Sequence, residues 1–157
     1  MRRTIAAIAT VALSGGLMVG CGSSTKATSP GGGVTVGSTV AGAPVAVTAG
    51  DKSDTEQFLT VAPTSVKAGN VTFTFKNTGT RQHEMIVLKT DEAVDQLKVD
   101  AATNKVSEDA SVGEVSETDA GKTVVKSLEL AAGKYVLVCN IEKHYAQGMR
   151  SAFTVTA

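Results

Sequence analysis

The run Val138-Cys139-Asn140-Ile141-Glu142-Lys143-His144-Tyr145-Ala146-Gln147-Gly148-Met149-Arg150 constrains this chain more than any other stretch. It spaces a thiol, an imidazole and a thioether evenly, Cys-x4-His-x4-Met, and all three are soft or borderline ligands suited to copper. Five residues along an ideal helix rotate a side chain by about 140°, so Cys139, His144 and Met149 would diverge on a helix and converge only on a folded loop. Gly148 supplies the backbone freedom for such a loop. The flanking runs Tyr135-Val136-Leu137-Val138 and Phe153-Thr154-Val155 are β-rich, so the spacing predicts a ligand loop slung between two strands.

A fourth ligand has to come from elsewhere, and the chain of 157 residues holds only two histidines. The second, His83, follows the turn-rich Asn77-Thr78-Gly79-Thr80-Arg81-Gln82 and precedes the apolar Met85-Ile86-Val87-Leu88. A residue at that junction sits at a sheet end, where it can face a loop from another strand. His83, Cys139, His144 and Met149 then make up two imidazoles, a thiolate and a weak axial thioether, the donor set of blue-copper electron-transfer sites. Met85 is the rival for the axial place, although its strand position suits core packing better. Cysteine usage points the same way, since once Cys21 is lipidated or removed, Cys139 is the lone thiol and can form no internal disulfide. Zinc is a poorer fit, because structural zinc sites favour more thiolates and rarely use Met.

These residues resemble the cupredoxin family, the copper proteins that include plastocyanin, azurin, auracyanin and rusticyanin. The four-and-four loop spacing is similar to auracyanin and rusticyanin, and Asn-x-Gly ahead of the first His is also a family habit. The resemblance spans roughly residues 54–157 and is sharp at 77–83 and 135–153. It implies a Greek-key β-sandwich, one type 1 copper ion, and His144 as the exposed port for electrons, rimmed by Ile141, Tyr145 and Ala146. Azurin and plastocyanin carry Asn directly after the first His. Here that place is Glu84, either solvated or bonded to the ligand loop.

Around the motif, short apolar runs separated by turn signals predict an all-β sandwich with strands near 56–61, 71–77, 83–89, 123–130, 135–139 and 152–156. Val71, Phe73 and Phe75 alternate onto a buried face. Residues 89–122 form an insertion in which carboxylates outnumber amines, read as a solvated face or as a docking surface for a basic redox partner. Helical spacing at 91–99 predicts one short helix within it.

The N-terminal part reads as export and anchoring. Arg2 and Arg3 precede an apolar stretch, and Met18-Val19-Gly20-Cys21 resembles a bacterial lipobox, so residues 1–20 are expected to be a lipoprotein-type signal peptide and Cys21 the lipidated residue. Residues 21–50, rich in Gly, Ser, Thr, Ala and Val, are expected to be a flexible tether with a reach of about 30 Å, and residues 51–157 the copper-binding domain.

Fifteen basic residues balance fifteen acidic ones, and Trp is absent, which speaks against nucleic acid as a partner. Both histidines are committed to the motif, leaving none for a second copper centre or a Ser-His-Asp arrangement, so no enzyme is expected. The expected protein is a monomeric electron carrier, lipid-anchored on the extracytoplasmic face of a cell membrane, with redox proteins of the envelope as donor and acceptor. Copper buffering or delivery in the envelope is the alternative.

Overall fold

The computed structural model describes residues 42–157. Nine strands follow one another: β1 (Ala43–Asp51), β2 (Gln57–Ala62), β3 (Ser65–Lys67), β4 (Gly69–Asn77), β5 (His83–Lys89), β6 (Ser111–Thr118), β7 (Thr123–Leu130), β8 (Gly133–Val138) and β9 (Arg150–Thr156). They form a four-stranded sheet in the order β2-β1-β4-β7 and a five-stranded sheet in the order β3-β9-β8-β5-β6. The pairs β1/β4 and β3/β9 are parallel, and the other pairs are antiparallel.

Period-2 alternation builds the main core. Val45, Val47 and Ala49 of β1, Val71, Phe73 and Phe75 of β4, and Leu137 of β8 are buried with Met85, Val87, Phe153 and Val155. Phe73 and Phe153 meet edge to face with centroids 5.7 Å apart, a favoured geometry for aromatic pairs. Cys139 and Met149 belong to the same cluster. β5 and β8 are buried on both faces, because Ile86, Leu88, Val136 and Val138 join Val106 and Tyr145 in a second cluster on the far side. Partly buried Val94, Leu97 and Val99 pack on that cluster. The continuous apolar run at 85–88 thus records a strand covered twice.

Three expectations are corrected. The tether predicted for residues 21–50 overlaps β1, whose small residues pair in register with β4 from Ala43↔Val71 to Ala49↔Asn77. The predicted helix at 91–99 is a chain of turns, with Gln96 N–H donating to Ala93 C=O and Val99 bridging Val106. Tyr145 holds it there: its hydroxyl accepts the Leu97 N–H and donates to the Val94 C=O, so tertiary contacts outweigh the local helical spacing. Finally, the insertion at 89–122 contains β6, a sheet-edge strand whose buried side chains are Val115 and Thr118. Among the described residues, no helix is long and apolar enough to cross a membrane. Residues 1–20 and Cys21 lie outside the described residues.

Candidate metal centre

The site lies where β5 begins and β8 ends. His83 is the first residue of β5 and Cys139 directly follows β8. The turn into His83 is built by Asn77, whose Oδ1 accepts the Gly79 N–H and whose Nδ2 donates to the carbonyls of Arg81 and Thr118. The ligand loop is closed by its own backbone. His144 N–H donates to Ile141 C=O, Gln147 N–H to Lys143 C=O, and Met149 N–H to His144 C=O, while Cys139 N–H donates to Met149 C=O. Gly148 has φ +113°, as the turn into Met149 requires, and a Cβ there would stand 2.6 Å from the Gln57 carbonyl oxygen.

This folding brings three of the four expected ligands together. The Nδ1 atoms of His83 and His144 are 3.4 Å apart, Cys139 Sγ is 3.3 Å from His144 Nδ1, and one donor atom from each residue lies within 4.8 Å of the others. Met149 is fully buried in the cluster that holds Cys139, and its backbone bonds both loop ligands. Met85 packs in the main core, as its strand position predicts. His83 and Cys139 are wholly buried, whereas His144 keeps 7% exposure. Tyr145 is not part of a surface rim: it turns inward at 4% exposure, with Arg150 stacked over its ring and bonded to its carbonyl.

Glu84 bonds to the ligand loop. Its Oε1 accepts the Asn140 N–H at 3.0 Å, and its own N–H donates to Cys139 Sγ at 3.4 Å. The Asn140 side chain in turn grips the insertion, accepting the Val106 N–H and donating to Val106 C=O and Glu108 Oε1. Sequence reasoning missed Asn140 and Asp51, the latter 3.0 Å from His83 Nε2. Position next to Cys139 was a usable signal for the first. Asp51 had none, because the strand it ends was not recognised, its preceding residues having been read as tether.

Burial sets the electrostatics. It pushes the Cys139 thiol up to about 12, against the smaller opposing effect of the Glu84 and Ile141 N–H groups. It lowers His144 to about 4, helped by the charge of His83, and lowers His83 against the raising effect of Asp51. Glu84 is raised by burial despite its bond from Asn140. Burial thus disfavours the charged form of each group, and the cluster is two neutral imidazoles and a thiol.

That donor set fits a metal ion. Ring nitrogens bound at about 2.0–2.1 Å to one ion with near-tetrahedral angles stand roughly 3.4 Å apart, the separation observed between His83 and His144. One thiolate, two imidazoles and a nearby Met favour copper over the ions that prefer oxygen ligands.

A two-sheet β-sandwich with a His-Cys-His cluster at one end defines a cupredoxin. Residues 60–157 match the sulfocyanin (SoxE) domain, and the chain belongs to that family of cupredoxins, whose cofactor is one type 1 copper ion. The fold is similar to reduced auracyanin from Roseiflexus castenholzii, with 23% identity and a TM-score of 0.52 over 74% of this chain and 100% of that one. It is similar to auracyanin A, a "blue" copper protein from Chloroflexus aurantiacus, with 25% identity and a TM-score of 0.50 over 72% and 99%. It is also similar to rusticyanin from Thiobacillus ferrooxidans, with 21% identity and a TM-score of 0.53 over 74% and 79%. No curated protein sequence matches the chain.

Proposed function

We propose that this protein is a blue-copper electron carrier in which His83, Cys139 and His144 would hold the ion and the Met149 thioether would supply a weaker fourth donor. The observation that carries the reading is the convergence of His83 Nδ1, His144 Nδ1 and Cys139 Sγ in a buried pocket. Copper supplies a one-electron Cu(II)/Cu(I) couple, and Cys139 as thiolate supplies the covalent bond that gives such sites their colour.

The chain's own contribution is to hold the ligands still. His83 is fixed by the Asn77 turn and Cys139 by its backbone bond to Met149, so neither side of the cluster moves without breaking a buried bond. Water is excluded from His83 and Cys139, while the residual exposure of His144 marks it as the port for electrons. Such closure suits a carrier better than a delivery protein, which exchanges its metal through accessible ligands.

The setting follows from the same reading. Residues 1–20 act as an export signal, Cys21 carries the lipid, and the segment up to β1 tethers the domain to the extracytoplasmic face of a membrane, where it meets a donor and an acceptor protein. Its support is the lipobox-like Met18-Val19-Gly20-Cys21. The decisive experiment is the visible spectrum of the exported domain after Cu(II) addition, with and without reductant. An intense blue band that reductant bleaches and oxidant restores is expected; a colourless protein that retains copper only as Cu(I) overturns the carrier reading.

A further inference from the structure

Asp51 ends β1, and its carboxylate faces two ways. Oδ2 accepts three donors, the Thr80 N–H at 2.6 Å, the Thr80 hydroxyl at 3.1 Å and the Arg81 N–H at 3.3 Å. Oδ1 lies 3.0 Å from His83 Nε2, within ion-pair reach, but the ring N–H is not aimed at it and the two make no hydrogen bond in this structure. Both atoms are buried, and neither has another partner. Among the described residues this is the one contact between a histidine and a carboxylate. Gly79 closes the arrangement, because a Cβ there would stand 2.5 Å from Asp51 Oδ2 and 2.9 Å from His83 Nε2.

We propose that Asp51 is a positioning residue for the metal, which fixes the proton of His83 on Nε2 and strengthens Nδ1 as a donor. The inference rests on the copper reading above but is carried by its own geometry. An ionised carboxylate only accepts hydrogen bonds, and a neutral imidazole carries one N–H, so a carboxylate facing Nε2 selects the tautomer that leaves Nδ1 bare. Three donors fix the carboxylate's orientation from outside the site, so it does not depend on the metal. Although its own partial burial works the other way, the hydrogen bonds from Thr80 and Arg81 hold Asp51 below the usual carboxylate range, which keeps it an acceptor. A small rotation of the His83 ring would turn the N–H onto Oδ1; a carboxylate so bonded to a ligating histidine raises that ligand's basicity, and a negative charge at that distance favours the more highly charged ion. Asp51 thereby biases the site toward Cu(II) and lowers the potential relative to a neutral residue in its place.

Two measurements test this on the full chain. In the metal-free protein, long-range 1H–15N correlation of the histidine rings assigns the tautomer, and His83 is expected to carry its proton on Nε2. A proton on Nδ1 overturns the proposal, and this arm needs neither copper nor a variant. In the copper-loaded protein, Asp51→Asn is expected to keep the blue band and to lower Cu(II) affinity about 10–100-fold, with a smaller loss for Cu(I). Each tenfold change in the ratio of the two affinities raises the potential by about 59 mV. An unchanged potential in a folded Asp51→Asn variant refutes the bias, because a merely structural carboxylate would alter stability and leave the couple alone. If the unsubstituted protein never turns blue, the copper reading fails by itself, and the tautomer assignment still decides whether Asp51 orients His83.

Discussion

Replacing Asn140 by Ala should loosen the insertion from the ligand loop, and the size of the effect can be worked out atom by atom. Asn140 is 1% exposed, and its carboxamide bonds both backbone groups of Val106, the N–H at 2.8 Å and the C=O at 3.0 Å. The third bond, to Glu108 Oε1, reaches an exposed carboxylate that water can satisfy, so it adds little. Truncation orphans the two Val106 groups, each at a cost of about 1–3 kcal/mol if they stay dry. Water entry from the insertion's outer edge relieves part of this, leaving a loss of about 2–4 kcal/mol. Urea unfolding of the metal-free protein at constant m-value reads the global part. Hydrogen exchange at Val106 reads local detachment of the insertion. Asn140→Asp is the informative control, since one oxygen still accepts the Val106 N–H while the other faces the Val106 carbonyl and the Glu108 carboxylate. It should be at least as damaging at neutral pH and improve in acid. A change below about 0.5 kcal/mol with Val106 protection intact would refute the reasoning, because it would mean the two orphaned groups cost nothing.

Further outcomes follow from the site. Cys139→Ser should abolish the blue band, whereas Met149→Leu should keep it and raise the potential; an unchanged potential in the second variant would argue against axial ligation. Gly148→Ala should destabilise the metal-free fold by about 1–3 kcal/mol from backbone strain alone, with a further cost from the 2.6 Å approach to the Gln57 carbonyl, as thermal unfolding would show. The thiol raised from 9.0 to about 12 stabilises the metal-free fold below pH 9.0 and loses that contribution as pH climbs toward 12. The imidazole of His144, lowered from 6.5 to about 4, stabilises it above pH 6.5 and loses that contribution as pH falls toward 4. Metal-free stability in urea should therefore be greatest between pH 6.5 and 9.0, and copper uptake at pH 7 should release one proton per ion, from Cys139, in a weakly buffered titration.

The candidate ligand loop was legible as a loop because its spacing, rather than its context, rules out a helix. Cys139, His144 and Met149 at equal spacing exclude a helix, and the structure folds them as a loop between β8 and β9. β5 and β7 were also readable to the residue, at His83–Lys89 and Thr123–Leu130, since each is a β-branched or apolar run bounded by turns. β1 was not, although Val45, Val47 and Ala49 alternate. Its small side chains bury little apolar area on their own, and the strand owes its place to parallel pairing with β4, a partner remote in sequence. The residues at 91–99 misled for the converse reason. Val94 and Leu97 do face a core, but through bonds from the Tyr145 hydroxyl that no local period encodes.

The same non-local bonds explain why the ligand loop alone would be a poor carrier. An electron carrier must present nearly the same ligand positions to two charge states, so every donor atom needs a restraint that does not come from the metal. Cys139 has the Met149 carbonyl and the Glu84 N–H; His83 has the turn built by Asn77. Glu84 then ties the start of β5 to Asn140, and Asn140 ties the loop to Val106, so strand, loop and insertion share one chain of buried polar contacts. Where azurin and plastocyanin resemble one another in placing Asn after the first histidine, this chain makes the inter-loop bond with a carboxylate. The link survives the change of residue because what it requires is an acceptor for the Asn140 N–H, and Glu84 Oε1 provides one at 3.0 Å. Rigidity here is a property of the sandwich end as a whole, and the motif supplies only the atoms that use it.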